Sequence, residues 1–208
     1  MVHAAPTFPA NAPMTRPSRP SCRIVPPPSR TRGFSLIELM FTIALAGILM
    51  AVAGPSMKNM FKTNRVQTEA SSFVGDLMLA RTEAVKRGQN VSVCVSSDGV
   101  NCPTTNTWAK GWMVFSDSGG ACSAATTANP AIKVRKAFAG TDTLVASLAN
   151  TACVTFNREG FTSNLGTASV TFTLHTSDTL TTATRCVAVD LGGRITTQTA
   201  GQASTSCS

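Results

Sequence analysis

The sequence contains no tyrosine, only two histidines and no Cys-x-x-Cys pair. It also has no glycine-rich phosphate loop, so the residue types that hold a metal, a nucleotide or another cofactor are not grouped anywhere. Beyond the first 33 residues the one histidine is His175, which lies near Asp178 in a threonine-rich alternating segment. That setting is typical of an exposed strand rather than a Ser-His-Asp group. We therefore expect no enzyme, no cofactor and no metal site.

Acidic side chains are absent from residues 1–33, a segment dominated by proline, arginine and serine that also holds Cys22. Its five arginines account for much of the formal net charge of +8. The rest of the chain has thirteen basic and ten acidic side chains, a net charge of only about +3. Residues 1–33 cannot build a core. We predict that they are a processing or targeting leader, which would be shorter if translation starts at Met14.

Long apolar runs are confined to one place, the 20 residues Phe34–Ala53, which carry a single charge at Glu38. Twenty helical residues are long enough to cross the apolar core of a bilayer. Because the arginines precede this run, the positive-inside rule predicts a cytoplasmic leader and a chain that continues on the outer side of the membrane. Gly54 and Pro55 follow, and a proline at that point predicts a kink or a locally melted turn.

Six of the seven cysteines follow residue 90, and an oxidising compartment would pair them as disulfides. Six cysteines allow fifteen connectivities, and sequence alone does not choose among them. Short separation and flanking strand patterns favour Cys94–Cys102 and Cys186–Cys207, which leaves Cys122–Cys153.

Processing of this chain is predicted at an unusual place, before the apolar run rather than after it. Residues 33–39, GFSLIEL, resemble the cleavage site of type IV pilins and pseudopilins. The resemblance implies that a prepilin peptidase cuts between Gly33 and Phe34 and that Phe34 becomes the N-methylated first residue. It also implies that Glu38 pairs with the Phe34 amine of a neighbouring subunit and that Pro55 lies in a segment able to unwind on assembly. An unpaired carboxylate in lipid is costly, which independently favours a partner for Glu38.

Beyond Pro55, apolar residues recur every three or four positions until Lys86-Arg87-Gly88, a suitable helix end. The members of this stripe are Met57, Met60, Phe61, Ala70, Phe73, Val74, Leu77, Ala80 and Ala84. We predict three parts: a leader over 1–33, a membrane and assembly helix continuing into an amphipathic stem over 34–88, and a disulfide-containing β-rich head over 89–208. The fold class is α+β, with the long N-terminal helix packed on a mostly antiparallel sheet.

Strand patterns in the head are short and separated by turn-rich segments. They cover 91–95, 111–115, 132–135, 153–156, 169–174 and 186–189, whereas 119–130 and 140–150 have no distinct pattern. Residues 94–102, 108–117, 156–161 and 191–195 resemble the FimT/GspH group of minor pilins and pseudopilins.

This resemblance implies a minor type IV pilin, a structural subunit for pilus assembly or priming at the inner membrane. Its partners would be other pilin subunits, the prepilin peptidase and the inner-membrane assembly platform. One alternative is a minor pseudopilin of a type II secretion system. A second is a pilus-tip DNA receptor for natural transformation, with Arg194 and Arg185 as DNA contacts, although Thr196 stands where the Gly-Arg-x-Arg pattern of such receptors has its second arginine.

Overall fold

The structure is a computed structural model that describes residues 33–122, 124–148, 151–178, 181–200 and 207, except for the side chains of 52–55. The predicted leader and Cys22 lie outside the described residues, apart from Gly33. The one long helix, α1, spans Leu36–Arg87, and helical backbone continues through Gly54 and Pro55. The chain separates into two compact units, with the boundary between Leu45 and Ala46.

Within the described residues, eight strands follow the helix and form two four-stranded antiparallel sheets. Their bounds are β1 Val91–Val95, β2 Gly111–Ser116, β3 Ala131–Lys136, β4 Thr143–Ala146, β5 Cys153–Phe156, β6 Val170–His175, β7 Arg185–Val189 and β8 Ile195–Thr199. Sheet I has the order β3-β2-β1-β5 and sheet II the order β4-β6-β7-β8. Short 3-10 helices occupy Trp108–Lys110 and Thr181–Ala183. The α+β class and the antiparallel head are as predicted from the sequence.

Strand β4 lies in a segment that the sequence analysis left without a strand. It is four residues long, and alternate side chains, Leu144 and Ala146, are buried. Its pairing with β6, Thr143 opposite His175, supplies a partner 32 residues away. Local propensity is weak over so short a segment, and the long-range pairing decides its structure.

One face of α1 forms the core with both sheets. Its buried side chains are Val66, Ala70, Phe73, Leu77, Ala80 and Ala84, spaced by three or four residues. The predicted stripe is therefore correct from Ala70 onward. Met57, Met60 and Phe61 are more than half exposed, and Val66 was not in the predicted set. The buried face begins only where the two sheets provide a surface to pack against.

Phe73 lies where the helix and the two sheets meet. Its ring centroid is 5.1 Å from that of Trp112 in β2 and 4.9 Å from that of Phe172 in β6, both edge-to-face. Trp108 completes the cluster at 5.5 Å, and its indole N–H donates to the carbonyl of Thr151. All four rings are buried, so the cluster contributes apolar packing between the helix and both sheets.

Two ionic contacts attach α1 to the two sheets. Asp76 on the helix is buried, and its carboxylate lies 2.6 Å from Lys133 Nζ and 3.1 Å from Arg135 Nε in β3. It also accepts the indole N–H of Trp112 at 3.0 Å. Arg65 donates from Nε and Nη2 to the buried Asp142 beside β4, at 2.6 and 2.5 Å. Each buried carboxylate is thus fully paired, as burial of a charge requires.

We predict that Asp76→Ala lowers the free energy of unfolding by about 3–5 kcal/mol, because it leaves two cations and a buried indole N–H without their acceptor. Urea unfolding of the full chain in detergent, followed by tryptophan fluorescence, measures this. Asp178→Ala is the matched control. It removes the Lys62–Asp178 pair, whose side chains are 35% and 45% exposed, and a comparable loss there would contradict the assignment.

Glu69 lies beside the Arg65–Asp142 pair, and its Oε2 atom is buried without a hydrogen-bond partner among the described residues. Burial, together with the Asp142 carboxylate, raises the pKa of Glu69 to about 7, against the opposing effect of Arg65. A raised folded-state pKa means that the folded chain holds this proton more tightly than the unfolded chain. Its contribution to stability is therefore complete below about pH 4.5 and is lost as the pH rises to about 7.

We expect Glu69→Gln to stabilise the chain by about 1–2 kcal/mol at pH 8, a value reduced for the partial exposure of the group. The difference between variant and wild type should shrink towards zero below pH 4.5. Unfolding curves at pH 4, 6 and 8 test this. Glu83→Gln on the same helix is the control: Arg87 lowers the pKa of Glu83, so that variant should show no gain at pH 8.

Candidate functional site

The first site is the N-terminal part of the described chain, residues 33–51, which we call the assembly segment. Every one of its residues is exposed, including Phe34 at 82% and Leu36 at 78%. Contiguous apolar surface of this size does not remain in contact with water. An apolar environment from outside the described chain is therefore needed to cover it.

Gly33, Phe34 and Ser35 precede the helix and have no regular secondary structure. The first helical hydrogen bond of this region runs from Leu39 N to Ser35 O at 3.1 Å. The Gly33–Phe34 bond is thus exposed and non-helical, the conformation that a peptidase needs in a substrate. Glu38 follows within the first helical turn.

Glu38 is exposed, and no ion pair or hydrogen bond of its side chain occurs within the part of the chain that the structure describes. It is the single charged side chain from Phe34 to Ala53. In an apolar environment this carboxylate requires a cation from outside the described chain.

No single helix among the described residues is long and apolar enough to span a membrane, whereas the bent pair Leu36–Ala51 and Ser56–Arg87 meets both criteria when its two segments are taken together.

The cysteines of the head form three bridges, Cys94–Cys102, Cys122–Cys153 and Cys186–Cys207. These are the pairs favoured from the sequence. Cys94 and Cys153 are also direct partners across β1 and β5, so two bridges lie side by side on sheet I. Each bridge fixes a loop to a strand of a thin head, which typically stabilises a fold by about 2–4 kcal/mol.

The two residues proposed as DNA contacts are not brought together. Arg185 begins β7 and donates to Gln67 Oε1 at 2.7 Å and to the carbonyls of Thr182 and Thr184. Arg194 lies beyond the other end of β7, about 15 Å of strand away. Two further cations near the head surface, Lys133 and Arg135, are held by Asp76. Of these arginines, Arg194 alone remains exposed without a side-chain partner in the described chain.

A second site, which the sequence analysis missed, surrounds Arg194. The turn 157–161 after β5 and the turn 190–194 between β7 and β8 lie against each other, and Thr162 N donates to the carbonyl of Leu191 at 3.1 Å. Gly193 has φ +71°, and a Cβ there would overlap the carbonyl oxygen of Gly160. Arg81 of α1 donates to the carbonyl of Gly192 at 3.3 Å. Glycines in both turns are a sequence signal for close backbone contact, but they do not indicate that these two turns contact each other.

We define the twin-turn surface as the exposed side chains at this junction and the arginine beneath them: Val85, Phe161, Leu191, Arg81, Arg158 and Arg194. Val85 is 53%, Phe161 51% and Leu191 38% exposed. Two carboxylates lie at this junction: Glu159 pairs with Arg158 at 2.9 Å, and Asp190 Oδ1 accepts the backbone N–H of Arg194 at 2.8 Å. The surface is therefore both apolar and basic.

His175 and Asp178 do not form a catalytic pair. His175 Nδ1 lies 3.3 Å from the Thr184 hydroxyl, while Asp178 pairs with Lys62 at 2.5 Å. No cluster of three or more potential metal ligands occurs in the described residues.

Comparisons with known proteins agree with these features. The family model described as "Type II transport protein GspH" matches residues 69–193, and the "Prokaryotic N-terminal methylation motif" matches residues 28–54. A search of curated proteins returns no match.

Crystal structures of the type IV minor pilin FimU share the fold of this chain at low sequence identity. The type IV minor pilin FimU of Pseudomonas aeruginosa is 22% identical; one crystal form covers 70% of this chain and 96% of its own with a TM-score of 0.52. A second crystal form covers 68% and 99% with a TM-score of 0.50. The minor pseudopilin EpsH from the Type 2 Secretion System of Vibrio cholerae is 14% identical, with coverages of 66% and 99% and a TM-score of 0.48.

Proposed function

Because the chain belongs to the GspH family of minor pilins and pseudopilins, we propose that it is a minor type IV pilin, a structural subunit that acts in pilus assembly or priming at the inner membrane. The observation that carries this proposal is the assembly segment: an exposed apolar helix with one carboxylate, preceded by Gly33-Phe34 within the matched methylation motif. Its chemistry is assembly rather than catalysis, and it uses no cofactor.

In the proposed sequence of events, residues 1–33 are the leader and a prepilin peptidase cuts the accessible Gly33–Phe34 bond. The helix then anchors the subunit in the inner membrane in a single pass, with the head 89–208 in the periplasm. An oxidising periplasm suits the three disulfides. Inner-membrane assembly proteins would transfer the subunit from lipid to the filament.

Glu38 has the central role in that transfer. Cleavage creates a positively charged amine on Phe34, and an exposed carboxylate four residues later on a neighbouring chain is the complementary charge. In lipid both charges are costly, so their pairing between subunits favours assembly and fixes the axial position of one chain against the next. Pro55 lies where the missing backbone hydrogen bond lets the helix adapt during this step.

A minor pseudopilin of a type II secretion system is the second candidate, and the match to the family Type II transport protein GspH favours it. The Trp-x-x-Gly-Trp run at 108–112 does not separate the two functions, because both tryptophans are core residues packed on Phe73. A DNA-receptor role has less support, because Arg185, Lys133 and Arg135 have structural partners.

The test is the N-terminus of the protein recovered from native membranes and from sheared filaments. We expect the intact mass of a chain whose first residue is Phe34 and which carries one added methyl group. Recovery from pili, and loss of pili in a deletion strain, would support the pilus assignment, whereas loss of secretion with normal pili would support the pseudopilin. A chain that keeps its leader, or is cut elsewhere, would contradict the proposal.

We further predict that Glu38→Ala is cleaved and inserted normally but is recovered from filaments at least about tenfold less often than wild type, because the Phe34 amine of its neighbour lacks a partner. Immunoblots of membranes and sheared filaments measure both quantities. Thr42→Ala, one turn later on the same exposed helix, is the control and should assemble normally. Normal assembly of the Glu38 variant would contradict the pairing.

A further inference from the structure

We infer that the twin-turn surface is a docking site for the acidic, partly apolar head surface of a different pilin subunit. The inference rests on the proposed function, because it assumes neighbouring pilin subunits. It goes beyond that function by locating a contact on the head and by stating the chemistry of the partner.

The backbone of this surface is held in place by hydrogen bonds and close contacts within the chain. Asn157 Oδ1 accepts the N–H groups of Glu159 and Phe161 at 3.0 and 2.9 Å, and Asp190 Oδ1 accepts that of Arg194 at 2.8 Å. The Gly160–Gly193 contact and Arg81 join the two turns to each other and to α1. Binding therefore orders little backbone, which reduces the entropic cost of association.

Its composition is that of a protein interface. Aromatic and arginine side chains are enriched in such interfaces, and a small apolar centre bordered by charge is their usual arrangement. Here Phe161, Leu191 and Val85 supply the apolar part, and Arg158 and Arg194 the charge. A phosphate backbone would use the arginines but would leave the three apolar side chains without a partner.

The charge balance of the chain argues against a second copy as the partner. All ten carboxyl side chains lie in the described residues. Three are buried and bonded to other groups: Asp76, Asp117 and Asp142. Five are bonded to a nearby cation or within their own loops: Glu83, Asp98, Glu159, Asp178 and Asp190. The last two are Glu69, which is half-buried, and Glu38, which lies in the assembly segment. Every head carboxylate of this chain already has a bonding partner, so pairing with Arg194 of a second copy would compete with an existing contact, which favours an acid from a different chain.

The experiment is photo-crosslinking in cells that assemble the native filament, with a photoreactive amino acid in place of Leu191 in the full chain. We expect a product with a different chain that carries a pilin-type N-terminal segment, attached at a peptide with Asp or Glu beside apolar residues. Adding Arg194→Glu should lower the yield about tenfold, while Lys110→Glu, the same charge change at an exposed head site elsewhere, should not.

Two further positions make the outcomes distinct. Ile43 in the assembly segment should crosslink to pilin subunits if the proposed function holds, and Val145 on β4 is an exposed head control. If Ile43 crosslinks to pilin subunits but Leu191 gives no product, a self-crosslink or a DNA adduct, the docking site is wrong and the proposed function still stands. Equal yields of the pilin product at Val145 would also overturn it. No product at Ile43 or Leu191 would overturn both.

Discussion

The packing of one helical face against two sheets is the constraint on which the head depends. Neither four-stranded sheet is large, and the two share no strand. Phe73 contacts an aromatic ring from each sheet, and the buried residues of α1 continue that contact along both. Without the helix, each sheet would expose an apolar face, so helix and sheets must form together.

Charge reinforces this packing in a way that also determines what the surface can do. Asp76 and Asp142 are buried acids that hold cations from the opposite layer, and Arg185 is held by Gln67 and two carbonyls. Three of the seven basic side chains of the head, Lys133, Arg135 and Arg185, thus join the helix to a sheet. The exposed positive charge that has no side-chain partner is confined to separate positions, and Arg194 on the twin-turn surface is one of them.

The same helix has a second, opposite requirement along its first half. The assembly segment exposes apolar side chains on all sides, whereas the part from Val66 to Ala84 buries one face. A helix that is apolar all round is stable only in lipid or among other helices. The assembly segment therefore needs an environment from outside the described chain, and Glu38 is its single charged side chain.

The sequence by itself determined the features that depend on local order: the Gly33-Phe34 junction, the apolar run, the helical stripe from Ala70, six of the eight strands and the favoured cysteine pairs. Each has a periodicity, a composition or a short separation that physical chemistry interprets directly. The tertiary structure alone decided the division into two sheets, strand β4, the burial of Asp76 with Lys133 and Arg135, and the meeting of Gly160 with Gly193. Those features join residues tens of positions apart, and no local pattern specifies which distant atoms come within a few ångströms of each other.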